Sequence, residues 1–135
     1  MHAALLAGGD SAAIACIAAA NVWQTSRFTA PHIDVVTRHR LASRSNTVFH
    51  QRRDLDPGDG CEVGGVRVTT FTQTLVDVGR VLTAHQVANV MYQGAFRSRL
   101  DVNDVRIECQ RRAGRHGVNC TRRALALFGQ GSAGT

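Results

Sequence analysis

Apolar residues recur at intervals of three and four over most of the second half of the chain, which is the spacing of amphipathic helices. Stripes of this kind fall at 71–82, 84–95, 102–109 and 118–128. They are rich in Val, Leu and Ala rather than in residues that bind cofactors. The pattern therefore predicts three or four helices that pack their apolar faces into a core.

Polar residues in front of these stripes are of the kinds that begin helices. Thr70 is followed by Gln73 and Thr83 by Gln86, and each pair has the spacing of a capping box, in which two side chains satisfy free backbone amides. Asp101 can cap the third helix. Three helix starts are therefore predicted at defined positions.

The middle of the chain has the pattern of short strands instead. The segments 32–37 and 47–50 are β-branched and alternate in polarity. The segments 61–63 and 66–68 flank two glycines, which supply the positive φ that a tight hairpin requires. Three or four strands are therefore predicted before the helices begin.

The first 23 residues have a helical composition. The segment 2–8 is a short apolar helical piece, and 12–22 is dominated by Ala, the strongest helix former. Ser11 stands where an N-cap would stand, and Trp23 is a bulky anchor near the end. We therefore predict one continuous helix after Ser11.

These elements together predict an α+β fold: an N-terminal helix, a small and mainly antiparallel sheet of three or four short strands, and a C-terminal bundle of three or four helices. A chain of 135 residues suits one domain with one core. We assign that domain to 1–128. The small residues of 129–135 are predicted to form a flexible tail.

The charge of the chain is strongly positive and is carried by arginine alone. The formal net charge is +6, and all 16 basic residues are Arg. The absence of Lys excludes Schiff-base chemistry and a P-loop lysine, whereas the guanidinium fork suits phosphate groups. The chain therefore has the composition of a phosphate-binding protein rather than of a lysine-dependent enzyme.

The arginines form two clusters in the sequence. Between positions 97 and 123 there are eight Arg against three acidic residues, and the connector between the first two predicted strands adds three more. Such clusters can bind a nucleic-acid backbone without reading its bases, or can simply form a solvated face. The candidate residues are Arg38, Arg40, Arg44, Arg97, Arg99, Arg106, Arg111, Arg112, Arg115, Arg122 and Arg123.

The cysteines and histidines do not form a metal motif. The four cysteines are far apart and contain no Cys-x-x-Cys pair, which favours reduced thiols. Cys109, His116 and Cys120 could supply three ligands, but a closed zinc site needs four on well-placed turns. We predict neither a metal nor a cofactor.

Catalytic groups are also sparse. A nuclease of the two-carboxylate type needs acidic side chains that converge on adjacent strands, and only Asp34 and Glu62 lie on predicted strands. His32, His39 and His50 are scattered near them. We therefore predict that the protein is not an enzyme and has no small-molecule substrate. No apolar run approaches the length of a membrane span, so a cytoplasmic location without membrane contact is expected.

The segment 66–78 resembles a signature of actinobacterial AbiEi-type antitoxin-like proteins, I-P-V-T-T-P-A-R-T-L-L-D-L. Similar matches to that family occur at 14–23, 48–56 and 114–125, so the resemblance covers most of the chain. The signature residues Thr69, Thr70, Thr74, Leu75 and Asp77 are expected to be structural. Where the family has Arg four residues before this Asp, the present chain has Gln73, so an ion pair between those two positions cannot form.

The resemblance implies a module that lacks the family's other parts. Members usually carry a winged helix-turn-helix before this region and often a very-short-patch-repair-like endonuclease domain after it, and neither pattern is present in these 135 residues. The expected function is a non-catalytic, antitoxin-like interaction module, or a truncated remnant of one, that binds a toxin-like partner or its own copy. The alternatives are a non-specific nucleic-acid-binding protein and a fragment of an endonuclease-like protein without its catalytic domain.

Overall fold

A computed structural model describes the backbone of residues 1–44 and 46–134, and the side chains of that part as far as position 130. The helices are α1 (His2–Gly8), α2 (Cys16–Val22), α3 (Phe71–Val78), α4 (Ala84–Phe96), α5 (Val102–Arg111) and α6 (Val118–Gly134). The strands are β1 (Ala13–Ala15), β2 (Ile33–Thr37), β3 (Thr47–Gln51), β4 (Gly60–Val63) and β5 (Val66–Thr69). The predicted α+β class is therefore confirmed.

The sheet is larger and more mixed than predicted. Its five strands lie in the order β3-β2-β1-β5-β4. The hairpin of β4 and β5 is antiparallel, as expected, and its turn residues Gly64 and Gly65 have φ of 58° and 79°. However, β2 pairs with β3 in parallel, and β1 pairs with β5 in parallel. The expectation of a mainly antiparallel sheet was wrong, because two of the four strand pairs are parallel, and the strand count was low because β1 was not recognised as a strand.

The single helix predicted after Ser11 is also wrong in its first part. Residues Ala13–Ala15 form the central strand, and the helix begins only at Cys16. Ser11 does not cap a helix, because its hydroxyl contacts Thr37 Oγ1 at 3.2 Å and accepts the backbone N–H of Arg38 at 3.0 Å. Pairing with strands on both sides has overridden the helix propensity of the alanine run.

The sheet separates two apolar layers. Ala13, Ala15 and Val36 face a large cluster that is completed by α3, α4, α5 and α6, whereas Ile14 and Val35 face a smaller cluster with α1. This alternation follows from the period of two along a strand. The predicted helical bundle therefore packs on one face of the sheet.

The predicted helix starts are largely confirmed. Thr83 and Gln86 form the reciprocal capping box, at 2.9 and 3.2 Å. Thr70 accepts from the backbone amide of Gln73 at 3.2 Å, but the Gln73 side chain does not return the bond, because it contacts Asp59 instead. Asp101 caps α5.

The last helix extends beyond the predicted end of the domain. The backbone of α6 continues to Gly134, so most of the segment 129–135 is helical, and the rest lies outside the described residues. The flexibility predicted for that tail stays a prediction. In the part of the chain that the structure describes, no helix is both long and apolar enough to cross a membrane.

Candidate functional site

A cleft of about 770 Å³ lies between the helical face of the sheet and the ends of three helices. Its lining from the sheet includes Ala15, Val36 and Val48, one from each of β1, β2 and β3. Its lining from the helices includes Val76 of α3 and Val118 of α6. The cleft therefore has apolar walls, and a small number of polar groups are set among them.

Asp34 is the central polar group on the sheet side. His32 Nε2 lies 3.1 Å and His50 Nε2 lies 2.7 Å from the same oxygen, Oδ1. His32 and Asp34 are two residues apart and lie on one face of the sheet, and parallel pairing of β2 with β3 brings His50 beside them. The sequence suggested scattered histidines, but strand pairing gathers these two around one carboxylate.

Cys16 lies at the junction of β1 and α2, with a φ of 59° that is uncommon for a residue other than glycine. Its Sγ donates a weak hydrogen bond to the backbone carbonyl of Asp77 at 3.7 Å. Burial raises the pKa of the Cys16 thiol to about 12, and the charges of Asp34 and Asp77 add to the effect. At neutral pH this residue is a protonated thiol and not a nucleophile.

Asp77 is held in a buried ion-pair network on the opposite wall. Arg112 Nη1 donates to Asp77 Oδ1 at 2.6 Å, and Arg112 Nε donates to Glu108 Oε2 at 2.7 Å. Burial opposes the charge of Arg112, but the two carboxylates outweigh it and raise the pKa of this guanidinium above its usual value. The network ties α3 to the end of α5.

This network corrects one of the predicted nucleic-acid contacts. Arg112 is only 9% exposed and already bonds two carboxylates, so it belongs to the fold rather than to the exposed basic surface. Arg112 is also the partner of Asp77 that the sequence did not reveal. Gln73 stands four residues before Asp77, where the resembled signature has an arginine, and Asp77 pairs instead with Arg112, which lies 35 positions later in the chain.

Two polar atoms of this network have no hydrogen-bond partner among the described residues. They are Asp77 Oδ2 and Arg112 Nη2, and both residues line the cleft. An unpaired buried donor or acceptor is costly. Both atoms have less than 1 Å² of accessible surface, so they lie behind the wall of the cleft and are not presented to its interior.

Arginines from separate segments surround the mouth of the cleft. Arg52 follows β3, Arg80 follows α3, and Arg115 lies in the loop between α5 and α6. A shallower pocket that shares Arg52 and Arg115 adds Arg53. His116 lies next to Arg115 in the same lining. The mouth is therefore basic, although most of these residues are distant in sequence.

The other predicted arginines do not line this cleft. Arg97 Nε donates to the carbonyl of Gln24 at 3.1 Å, and the Arg99 guanidinium lies 5.3 Å from the centre of the Trp23 ring. Arg122 contacts the carbonyl of Cys109 at 3.3 Å. The remaining predicted arginines, all exposed and outside the cleft lining, are Arg38, Arg40, Arg44, Arg106, Arg111 and Arg123.

Sequence reasoning missed Arg52, Arg53 and Arg80 because they lie outside the two arginine clusters. Arg52 has a structural contact as well, since its Nη1 donates to Gln73 Oε1 at 2.8 Å. Arg80 lies inside the stripe predicted as helical at 71–82, and that pattern does not indicate that the helix ends at Val78 or which neighbour its end meets.

The candidate metal ligands do not form a common site. Cys109 is buried, Cys120 Sγ contacts the carbonyl of Leu82 at 3.2 Å, and His116 is exposed beside the cleft. Among the residues that the structure describes, no three His, Cys, Asp or Glu side chains are arranged to hold a metal ion. All four cysteines are free thiols.

The signature residues have structural surroundings. The hydroxyls of Thr69 and Thr74 lie 2.7 Å apart, and Thr74 Oγ1 donates to the carbonyl of Thr70 at 2.9 Å. Trp23 Nε1 donates to the carbonyl of Thr69 at 3.0 Å, and Leu75 is fully buried. These contacts join β5 to the start of α3.

No model of a known protein family matches this chain, and no curated protein matches it either.

The buried network predicts different effects for two neighbouring arginines. Arg112→Ala should lower the free energy of unfolding by about 3–5 kcal/mol, because Asp77 and Glu108 stay buried without their counter-charge. Arg111→Ala removes an exposed partner of the same Glu108 and should cost about 0–1 kcal/mol. Urea unfolding of both variants tests this difference, and equal decreases would contradict the structural role of Arg112.

Proposed function

We propose that this protein is a non-catalytic, antitoxin-like binding module that contacts the phosphate backbone of a nucleic acid at the mouth of its cleft. The observation that carries the proposal is the convergence there of the exposed Arg53, Arg80 and Arg115 from three separate parts of the chain. Guanidinium groups that surround one opening can contact successive phosphates of a strand.

The charge balance at the cleft supports an anionic ligand. The two adjoining pockets are lined by five arginines and three aspartates, an excess of two positive charges before any histidine is protonated. Asp77 is paired with Arg112, and Asp54 Oδ1 lies 3.9 Å from Arg52 Nε. Among the described residues, no acidic side chain lies within ion-pair distance of Arg53, Arg80 or Arg115. Phosphate contacts of this kind fix the position of the protein on the nucleic acid but do not read the base sequence.

Several features favour binding over catalysis. The thiol of Cys16 is kept protonated by its surroundings. Asp34 is contacted by His50 and Asp77 by Arg112, so each carboxylate of the cleft already has a basic partner. Free cysteines at four positions suit a reducing compartment, so we place the protein in the cytoplasm.

The binding proposal is tested by fluorescence polarisation with labelled DNA. Affinity should fall steeply between about 50 and 200 mM salt, because bound phosphates release counterions. The double variant Arg80→Ala/Arg115→Ala should weaken binding and flatten the salt slope by about 0.9 for each phosphate that the protein no longer neutralises.

A matched control removes the same charge elsewhere. Arg106 and Arg123 are exposed, and neither lines the cleft or the pocket that adjoins it. The double variant Arg106→Ala/Arg123→Ala should therefore keep most of the salt slope. Equal weakening in both double variants would show that net charge alone attracts DNA, and an absence of binding would refute the proposal.

The absence of catalysis is tested separately. DNA or RNA incubated with the pure protein and Mg²⁺ or Mn²⁺ should stay intact, since the carboxylates of the cleft are engaged by arginine and histidine. Gel analysis of the labelled strand provides the measurement. Cleavage that disappears in Asp34→Ala would overturn the non-catalytic assignment.

A protein partner is the second candidate, as the antitoxin-like resemblance implies. The observation that favours it is Phe96, a large aromatic side chain that ends α4 with 84% of its surface exposed. The C-terminal helices α3 to α6, here called the helical half, would then contact a toxin-like partner or a second copy of the chain.

Self-association is the version of this candidate that can be tested on the pure protein. Gel filtration with light scattering at low micromolar concentration should show a species larger than the monomer, and Phe96→Ser should shift it towards the monomer. Leu6→Ser changes an equally exposed residue of α1, outside the helical half, and should leave the mass unchanged. A strict monomer in the unmodified protein would count against self-association.

A further inference from the structure

The interior of the cleft differs chemically from its mouth. The mouth is basic, whereas the interior combines apolar walls with the carboxylate of Asp34. We propose that the interior receives a single unpaired nucleobase that carries an exocyclic amino group. This inference rests on the proposed function, because the phosphates on either side of that base would lie on the arginines of the mouth.

The size and the walls of the cleft suit a base rather than a duplex. A volume of about 770 Å³ lies within the range of sites for small molecules. Valines from β2, β3, α3 and α6 line the space, and the flat faces of a base are the apolar part of a nucleotide. Only a base that has left its stack can enter such a concave site, so the ligand is single-stranded or locally unpaired.

Asp34 supplies the feature that would discriminate between bases. Both histidines contact Oδ1, so neither engages the second oxygen, Oδ2. An ionised carboxylate can only accept hydrogen bonds, and the amino groups of cytosine, adenine and guanine can only donate them. Thymine has a carbonyl where cytosine has its amine, so it would place an acceptor against an acceptor.

Arg80 and Arg115, the proposed phosphate-binding residues, lie on segments that pack against each other beside this interior. A side chain at Gly117 would come within 2.6 Å of the backbone nitrogen of Arg80, so the loop before α6 packs directly on the end of α3. Arg80 and Arg115 therefore flank the opening from two segments in contact. This arrangement allows a base to lie inside the cleft while the phosphates on either side of it contact the arginines at its mouth.

The proposal is tested with abasic DNA strands, which present phosphates with almost no base stacking. One strand carries a single cytosine, a second carries a single thymine at the same position, and a third carries no base. Fluorescence polarisation should show the cytosine strand binding on the order of tenfold more tightly than the thymine strand, as expected for one well-formed hydrogen-bonded contact. The strand without a base should bind no better than the thymine strand.

Two variants separate base recognition from phosphate binding. Asp34→Asn replaces an acceptor with a group that both donates and accepts and removes one negative charge, so all three strands should bind somewhat more tightly while the preference for cytosine over thymine largely disappears. Val48→Phe narrows the apolar side of the cleft without changing any charge, and it should also remove the preference. Circular dichroism melts confirm that each variant is folded.

The outcomes distinguish the base site from the phosphate-binding function. Equal binding of the cytosine and thymine strands, or a preference that survives in both variants, would overturn the base site and leave phosphate binding intact. If no strand binds, including the one without a base, the phosphate-binding function fails and the base site fails with it.

Discussion

The buried contact between Asp77 and Arg112 is the interaction on which the candidate site depends. It joins the last turns of α3 and α5, and Glu108 completes it from the same face of α5. Removal of one partner from such a buried network leaves an uncompensated charge, so the three side chains depend on one another. The helix ends that form one wall of the cleft are therefore held together by charge within an otherwise apolar layer.

The opposite wall depends on the central strand β1. Because β1 pairs with β2 on one side and β5 on the other, it places Ala15 in the floor of the cleft and Cys16 at the turn into α2. Small side chains in this strand let the helices approach the sheet closely. The same small side chains made this segment look like a helix in the sequence, since alanine favours helices wherever strand pairing does not intervene.

The candidate site was less predictable than the fold, and the reason differs from residue to residue. Asp34, His32 and His50 were recognised as candidates, but their contact depends on the register of β2 with β3. Arg115 was predicted and does lie at the mouth, whereas Arg112, three residues earlier, is buried. A cluster of arginines in the sequence records local charge, but it does not show which side of the helix packs against the core.

The sequence by itself determined the α+β class, the β4–β5 hairpin and the starts of α3, α4 and α5, because periodicity, paired glycines and capping residues act over a few neighbouring positions. Only the tertiary structure decided the strand at 13–15, the mixed strand order, the pairing of Asp77 with Arg112 and the gathering of Arg52, Arg80 and Arg115 around one cleft. These features join residues that are distant in the chain, and their free energy comes from pairing and burial that no local pattern encodes.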